Sequence, residues 1–328
     1  MAYKPITCLA LMLTAFCTPS HTQQPQPLSL EQQRTALAGR PKVATEHLTD
    51  SGRLMERTAA LSATDMEGRL VGTAGGAKAR AYIIAQLEKT SAKPLAPNWQ
   101  QPFTYTRAGS TVNAVNVLGI IRGTKQPDSV LVLSAHYDHL GVKNGKTYHG
   151  ADDNASGVAT LLEAASYFTQ HPPQHSMVFC FFDAEESGLK GAFHFVGHLP
   201  EPLQLNSIKV NINLDMVSRN HVGNELIAVG TLANPHLKPI LAKAQPLTNI
   251  ALLFGHEGEP GTTSSDNWIV QSDQAAFAAK KVAYIYLGVE DHPDYHQPTD
   301  TFEHINKPFF YASSNLIMRV LLLLDEHL

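Results

Sequence analysis

Apolar residues recur along this chain at two spacings, and the two spacings alternate. Between Ala77 and Lys89 the positions Ala81, Ile84 and Leu87 repeat every three or four residues, the period of one helix face. Residues 129–134 (SVLVLS) then form a short unbroken apolar run, the pattern of a strand buried on both faces. Helical spacing returns over 156–168 with Val158, Leu161, Leu162 and Ala165, and further strand-like runs follow at 177–182 (MVFCFF) and 208–214 (IKVNINL). Residues 235–244 read as a helix, 282–289 as a strand and 309–324 as a closing helix. This alternation predicts an α/β fold: a mostly parallel central sheet with helices on both faces, forming one domain over residues 46–328.

The pattern differs ahead of that domain. Lys4 precedes an apolar run from Ile6 to Phe16, and small or polar residues follow through Ser20. A short positive region, a short apolar core and a polar exit predict a secretory signal peptide over residues 1–20, hence a secreted or periplasmic protein. The run is shorter than the roughly 20 residues a membrane-spanning helix needs. Cys17 suggests a lipid-anchored alternative, against which the bulky Phe16 before it argues. Residues 21–45, rich in Gln and Pro, read as a tether. Cys8 and Cys17 lie in the leader, so cleavage would leave Cys180 alone and no internal disulfide.

Composition narrows the function classes. Of 328 residues 43% are hydrophobic and 16% charged, which is too apolar for a disordered chain. The formal net charge is -4, and Lys and Arg form no stripe, which argues against a nucleic-acid partner.

Chemistry is expected where the strands end, because open α/β sheets collect ligands beyond the carboxyl ends of their strands. Four apolar runs end in acidic residues or histidine. Residues 129–134 are followed by His136 and Asp138, 177–182 by Glu185 and Glu186, 208–214 by Asp215, and 282–289 by a loop carrying His292, Asp294 and His296. Carboxylates and imidazoles without thiolate are a donor set that zinc accepts. For two zinc ions about 3.5–4 Å apart, five ligands suffice if one carboxylate bridges them. Three carboxylates and a bridging hydroxide would also balance the charge of the pair. The loop Gly150–Gly157 (GADDNASG) offers the bridge, with Asp153 preferred over Asp152. Adjacent glutamates cannot point the same way from extended backbone, so Glu186 is read as ligand and Glu185 as the base for the attacking water. Asp138, two residues past His136, is placed to accept the second N–H of that imidazole. Asp300 either orients a nearby loop or caps the next segment.

The segments SAHYDHLG (134–141), GADDNASG (150–157), FDAEESGLKGA (182–192), NLDMV (213–217) and YHQPTDT (295–301) resemble those of the zinc aminopeptidases with co-catalytic metals. That family includes bacterial leucyl aminopeptidases and, more distantly, glutamate carboxypeptidases. The resemblance extends over about residues 60–305, and EGRLVGTAGG (67–76) looks like its upstream glycine-rich stretch. It implies a zinc peptidase that removes N-terminal residues from peptides or small proteins, with Zn²⁺ at two per chain. His136 and Asp215 would hold one ion, Glu186 and His296 the other, and Asp153 would bridge. Glu185 would be the general acid/base, and Tyr295 would help hold the carbonyl oxygen as it gains charge. His296 is preferred over His292, and the remaining histidines, His139 among them, read as surface residues or as support behind the ligands. Two departures, Ser272-Asp273-Gln274 and Lys280-Lys281, are expected near the substrate mouth. The alternative is a glutaminyl cyclase-like acyltransferase with one zinc, or a non-catalytic binding domain on the same fold.

Overall fold

The computed structural model describes residues 27–258 and 266–328, so the expected leader lies outside the described residues. The elements begin with helices α1 (Leu30–Leu37), α2 (Ser51–Leu61) and α3 (Ala74–Leu87), then strands β1 (Lys93–Pro94), β2 (Gln100–Arg107), β3 (Ser110–Ile121) and β4 (Gln126–His136). A two-stranded ribbon, β5 (Val142–Lys143) and β6 (Lys146–Thr147), precedes α4 (Gly157–Gln170), β7 (His175–Phe182), α5 (Lys190–Gly197) and β8 (Ile208–Leu214). The chain continues through β9 (Glu225–Val229), α6 (Lys238–Ala242), β10 (Ala251–Phe254), α7 (Gln274–Ala279), β11 (Tyr284–Gly288) and α8 (Lys307–His327).

Nine strands form one sheet in the order β1-β3-β7-β4-β8-β11-β9-β10, with β2 paired to β3. Its four middle strands β7, β4, β8 and β11 are parallel, as the apolar runs predict. Each flank joins these middle strands antiparallel, which makes the sheet mixed. Strand β3 runs against β7, and β9 runs against β11. Strands β2 and β3 are joined by Ala108 and Gly109 alone, both at positive φ. A two-residue loop of that conformation can join only antiparallel neighbours.

Period-2 alternation sorts the buried strands between two cores. From β7, Met177, Phe179 and Phe181 face α2, α3, α4 and α8, where Leu54, Ile83, Leu161 and Ile317 are fully buried or nearly so. Val178, Cys180 and Phe182 point the other way, onto Phe195 of α5 and Phe277 of α7. Cys180 therefore lies in apolar packing, where burial raises its thiol well above the usual range.

Register then positions the strand ends. Ser134 of β4 pairs with Asn213 of β8, so two residues further along His136 and Asp215 stand level and on the same face. His136 itself pairs with Phe182 of β7, immediately before Asp183–Glu186. Within the segment expected as a tether, α1 docks on the sheet edge. The Gln33 amide exchanges two hydrogen bonds with the Phe254 backbone of β10 (2.7 and 2.9 Å), and Arg34 pairs with Glu225 of β9 at 2.6 Å. These contacts cover an edge that would otherwise offer unpaired backbone groups.

Candidate metal centre

The loop between β6 and α4 is shaped before any side chain reaches the cluster. Gly150 has φ 58°, and a Cβ there would lie 2.1 Å from the Asp153 carbonyl oxygen. A Cβ on Gly157 would lie 2.7 Å from the Leu214 carbonyl oxygen, so both ends of the loop require glycine. Asn154, fully buried, donates to that same carbonyl at 2.9 Å and ties the loop to β8. Asn154-Ala155-Ser156 has the pattern of a glycosylation acceptor, and the burial of Asn154 closes it to that modification. Asp300 accepts the backbone N–H groups of Asp152 (2.9 Å) and Asp153 (3.0 Å), which is the loop-orienting role among the two expected for it. Arg69, also fully buried, donates to the carbonyls of Leu61, Tyr137, His149 and Gly150 at 2.6–2.9 Å. Burial pushes its guanidinium down to about 10.

This frame separates the two aspartates. Asp152 Oδ1 accepts both the backbone N–H and the hydroxyl of Ser218 (2.7 Å each), and its Oδ2 faces His292 Nε2 at 3.1 Å. Asp153 points into the crevice instead. Its Oδ1 is 3.4 Å from His136 Nε2, and its Oδ2 is 3.1 Å from His296 Nε2. His136 Nε2 also lies 3.2 Å from Asp215 Oδ1, and His296 Nε2 lies 3.3 Å from Glu186 Oε2. The structure thus brings the five expected ligands together and leaves Asp152 and His292 paired with each other.

Asp138 differs from expectation. The Nδ1 atom of His136 is 3.2 Å from the Asp138 backbone carbonyl, whereas the Asp138 carboxylate is 3.8 Å away. That carboxylate accepts the Glu185 backbone N–H at 3.0 Å, because the chain turns sharply after β7 and its amide needs an acceptor. His139 is a second difference. It is fully buried, with Nδ1 2.8 Å from Glu186 Oε1. The His136-x-x-His139 spacing within SAHYDHLG is the one signal that could have marked it.

Burial and the facing imidazoles set the electrostatics of the crevice. Burial pushes the Glu185 and Asp215 carboxyls upward, with His136 pulling against it, and burial raises Asp138 strongly. Burial would raise Glu186 too, but hydrogen bonds from His139 and His296 hold it well below the usual carboxylate range. Among the described residues, donor atoms of His136, Glu185 and Asp215 lie within 4.8 Å of one another, as do those of His139, Asp153 and Glu186. Two adjoining clusters of nitrogen and oxygen donors, free of sulfur and sharing a buried crevice, fit divalent zinc.

The clusters floor a cleft of about 420 Å³. Leu189, Met216, Trp268 and Val289 supply apolar wall, while Asp291 and Tyr295 stand at its polar side. Tyr295 stacks on His296 with ring centroids 3.9 Å apart. Ser272 lines the cleft, and Gln274 lies buried behind it, donating to the Trp268 carbonyl at 2.7 Å and accepting from Asn213 at 3.0 Å. Lys280-Lys281 does not reach the mouth, contrary to expectation. Helix α7 carries it to the amino end of β11, whereas the cleft lies at the carboxyl ends.

Aminopeptidase YwaD of Bacillus subtilis is 31% identical over 217 residues, covering 64% of this chain and 45% of that protein. The chain spans less than half the length of the curated relatives it matches. The crystal structure of BSAP, a zinc aminopeptidase from Bacillus subtilis, is similar at TM-score 0.65 with 18% identity, over 84% of this chain and 95% of that one. Porphyromonas gingivalis glutaminyl cyclase is similar at TM-score 0.68 with 18% identity, over 86% and 100%. At such identities the two structures establish the α/β fold alone. The sequence profile of peptidase family M28 matches residues 116–321, the stretch that runs from β3 into α8 and carries every strand end around the cleft, and the chain belongs to that family.

Proposed function

We propose that the chain is a secreted or periplasmic zinc aminopeptidase with two zinc ions, held by His136, Asp215, Glu186 and His296 and bridged by Asp153. The observation that carries this reading is the Asp153 carboxylate, whose two oxygens face His136 on one side and His296 on the other. When bound, zinc would supply Lewis acidity that polarises the scissile carbonyl and makes water a better acid. Glu185 lines the cleft beside His136 and Asp215, where it can take the proton of the attacking water and pass it to the leaving amine. Tyr295, which stacks on His296 and lines the cleft, would donate a hydrogen bond to the carbonyl oxygen as it gains charge. The apolar wall suits the side chain of one terminal residue, and the carboxylates beside it suit a free ammonium group.

Glutaminyl cyclase chemistry is the second reading, because a cyclase shares the fold as closely as an aminopeptidase does. One preparation separates the two. Protein reconstituted with excess zinc should approach two ions per chain and release free amino acid from a panel of aminoacyl-anilides. A plateau at one ion, with ammonia released from peptides that begin with glutamine, would establish the cyclase instead.

Export rests on the sequence of residues 1–20. Among the described residues no helix is long and apolar enough to cross a membrane. Mass spectrometry of protein recovered outside the cytoplasm should find a mature N-terminus at His21. A lipidated Cys17 would replace that expectation with membrane anchoring, and an intact Met1 would remove it.

A further inference from the structure

Glu186 meets two imidazoles, and they take different oxygens. His296 Nε2 lies 3.3 Å from Oε2, while His139 Nδ1 lies 2.8 Å from Oε1. Asp153 Oδ2 is also near His139 Nδ1, but at 3.6 Å it is beyond hydrogen-bond range, so the His139 bond belongs to Glu186. The other ring nitrogen, His139 Nε2, is buried with no hydrogen-bond partner among the described residues. A proton there would have nothing to accept it, whereas a proton on Nδ1 has Glu186. The tautomer is therefore set by burial, and His139 is a donor to one carboxylate oxygen. His139 has no exposed surface and, among the described residues, no second side-chain polar contact of hydrogen-bond length that would explain an imidazole rather than an apolar side chain at this position.

We propose that His139 is a positioning residue for Glu186, its Nδ1–H holding Oε1 so that Oε2 alone is presented to zinc beside His296. The proposal rests on the two-zinc reading given above. It adds to that reading a fixed, one-oxygen role for Glu186 and a purpose for a histidine outside the five ligands. Groups that hydrogen-bond a ligand and set its orientation change metal affinity by about 10–100-fold when removed.

Two substitutions test it. His139→Leu fills the same buried space without an N–H, and His139→Asn places an amide N–H close to the position of Nδ1. Zinc affinities would be measured by chelator competition, beside thermal unfolding of the metal-free proteins to establish that each variant folds. The Leu variant should bind one of its ions about 10–100-fold more weakly. The Asn variant should stay close to wild type, because the donor is restored. Wild-type affinity for both ions in the Leu variant would overturn the proposal. So would an Asn variant that loses an ion as fully as the Leu variant, since the imidazole would then be a ligand itself. The wild-type zinc count in the same titration tests the underlying reading separately. If wild type binds a single ion the two-zinc assignment fails, and the Leu and Asn variants still decide whether His139 supports the ion that remains.

Discussion

Replacing Glu185 with Gln should leave both zinc ions bound and cut turnover by about 10²–10⁴-fold, the scale of a lost general acid–base group. The substitution keeps the size of the side chain and removes its ability to take a proton. The backbone at this position is held independently, by the Glu185 N–H on Asp138 Oδ1 at 3.0 Å, so the turn after β7 survives the change. Glu186→Gln should fail differently. It replaces an anionic ligand with a neutral one and leaves the second cluster short of a negative charge, so zinc beside His296 should bind weakly and activity should return in part as zinc is raised. Proximity alone does not distinguish the two residues, because Glu185 also lies within 4.8 Å of the His136 and Asp215 donor atoms. Zinc stoichiometry measured beside turnover on a peptide with a free N-terminus does distinguish them. A metal-depleted Glu185→Gln beside a fully loaded Glu186→Gln would reverse the roles, and full activity in both would sink the mechanism.

That pair was readable in the sequence because strand geometry constrains it. The run MVFCFF buries both faces, so the acidic residues immediately after it have nowhere to go except the carboxyl edge of the sheet. The same reasoning found His136 and Asp215, whose shared level follows from the parallel pairing of β4 and β8. The hairpin β2–β3 escaped notice because its outer residues, Gln100–Arg107 and Ser110–Asn113, are mostly polar, and the inward positions of β2 include a polar residue, Gln101, beside Phe103. Short β9 and β10 escaped for want of length, and α1 because its docking is polar, through Gln33 and Arg34. Within the site, Arg69 and His139 were hidden by type. Arginine is almost never fully buried unless its charge is met, and isolated histidines are common at surfaces. Their burial depends on carbonyls and carboxylates delivered by distant segments, which no local pattern encodes. Asp138 was found in the right place with the wrong partner, since extended spacing predicts a shared face but not which oxygen turns toward the imidazole.

Asp153→Ala should lose both zinc ions together, because its carboxylate faces His136 with one oxygen and His296 with the other. The loss should be specific to the metals. Asp300 holds the loop through the backbone N–H groups of Asp152 and Asp153, and Arg69 holds its carbonyls, so these hydrogen bonds do not use the Asp153 side chain. The metal-free variant should therefore melt close to metal-free wild type. The difference should appear on adding zinc. A site filled at 100 times its Kd stabilises the folded state by about 2.7 kcal/mol, so wild type should gain a raised Tm that the variant lacks. Asp152→Asn is the companion measurement. Asparagine keeps an oxygen for Ser218, and Asp152 points at His292 rather than into the crevice, so this variant should retain both ions and the zinc-dependent rise in Tm. If Asp153→Ala keeps both ions while Asp152→Asn sheds them, the bridge belongs to Asp152 and the ligand set must be redrawn around His292.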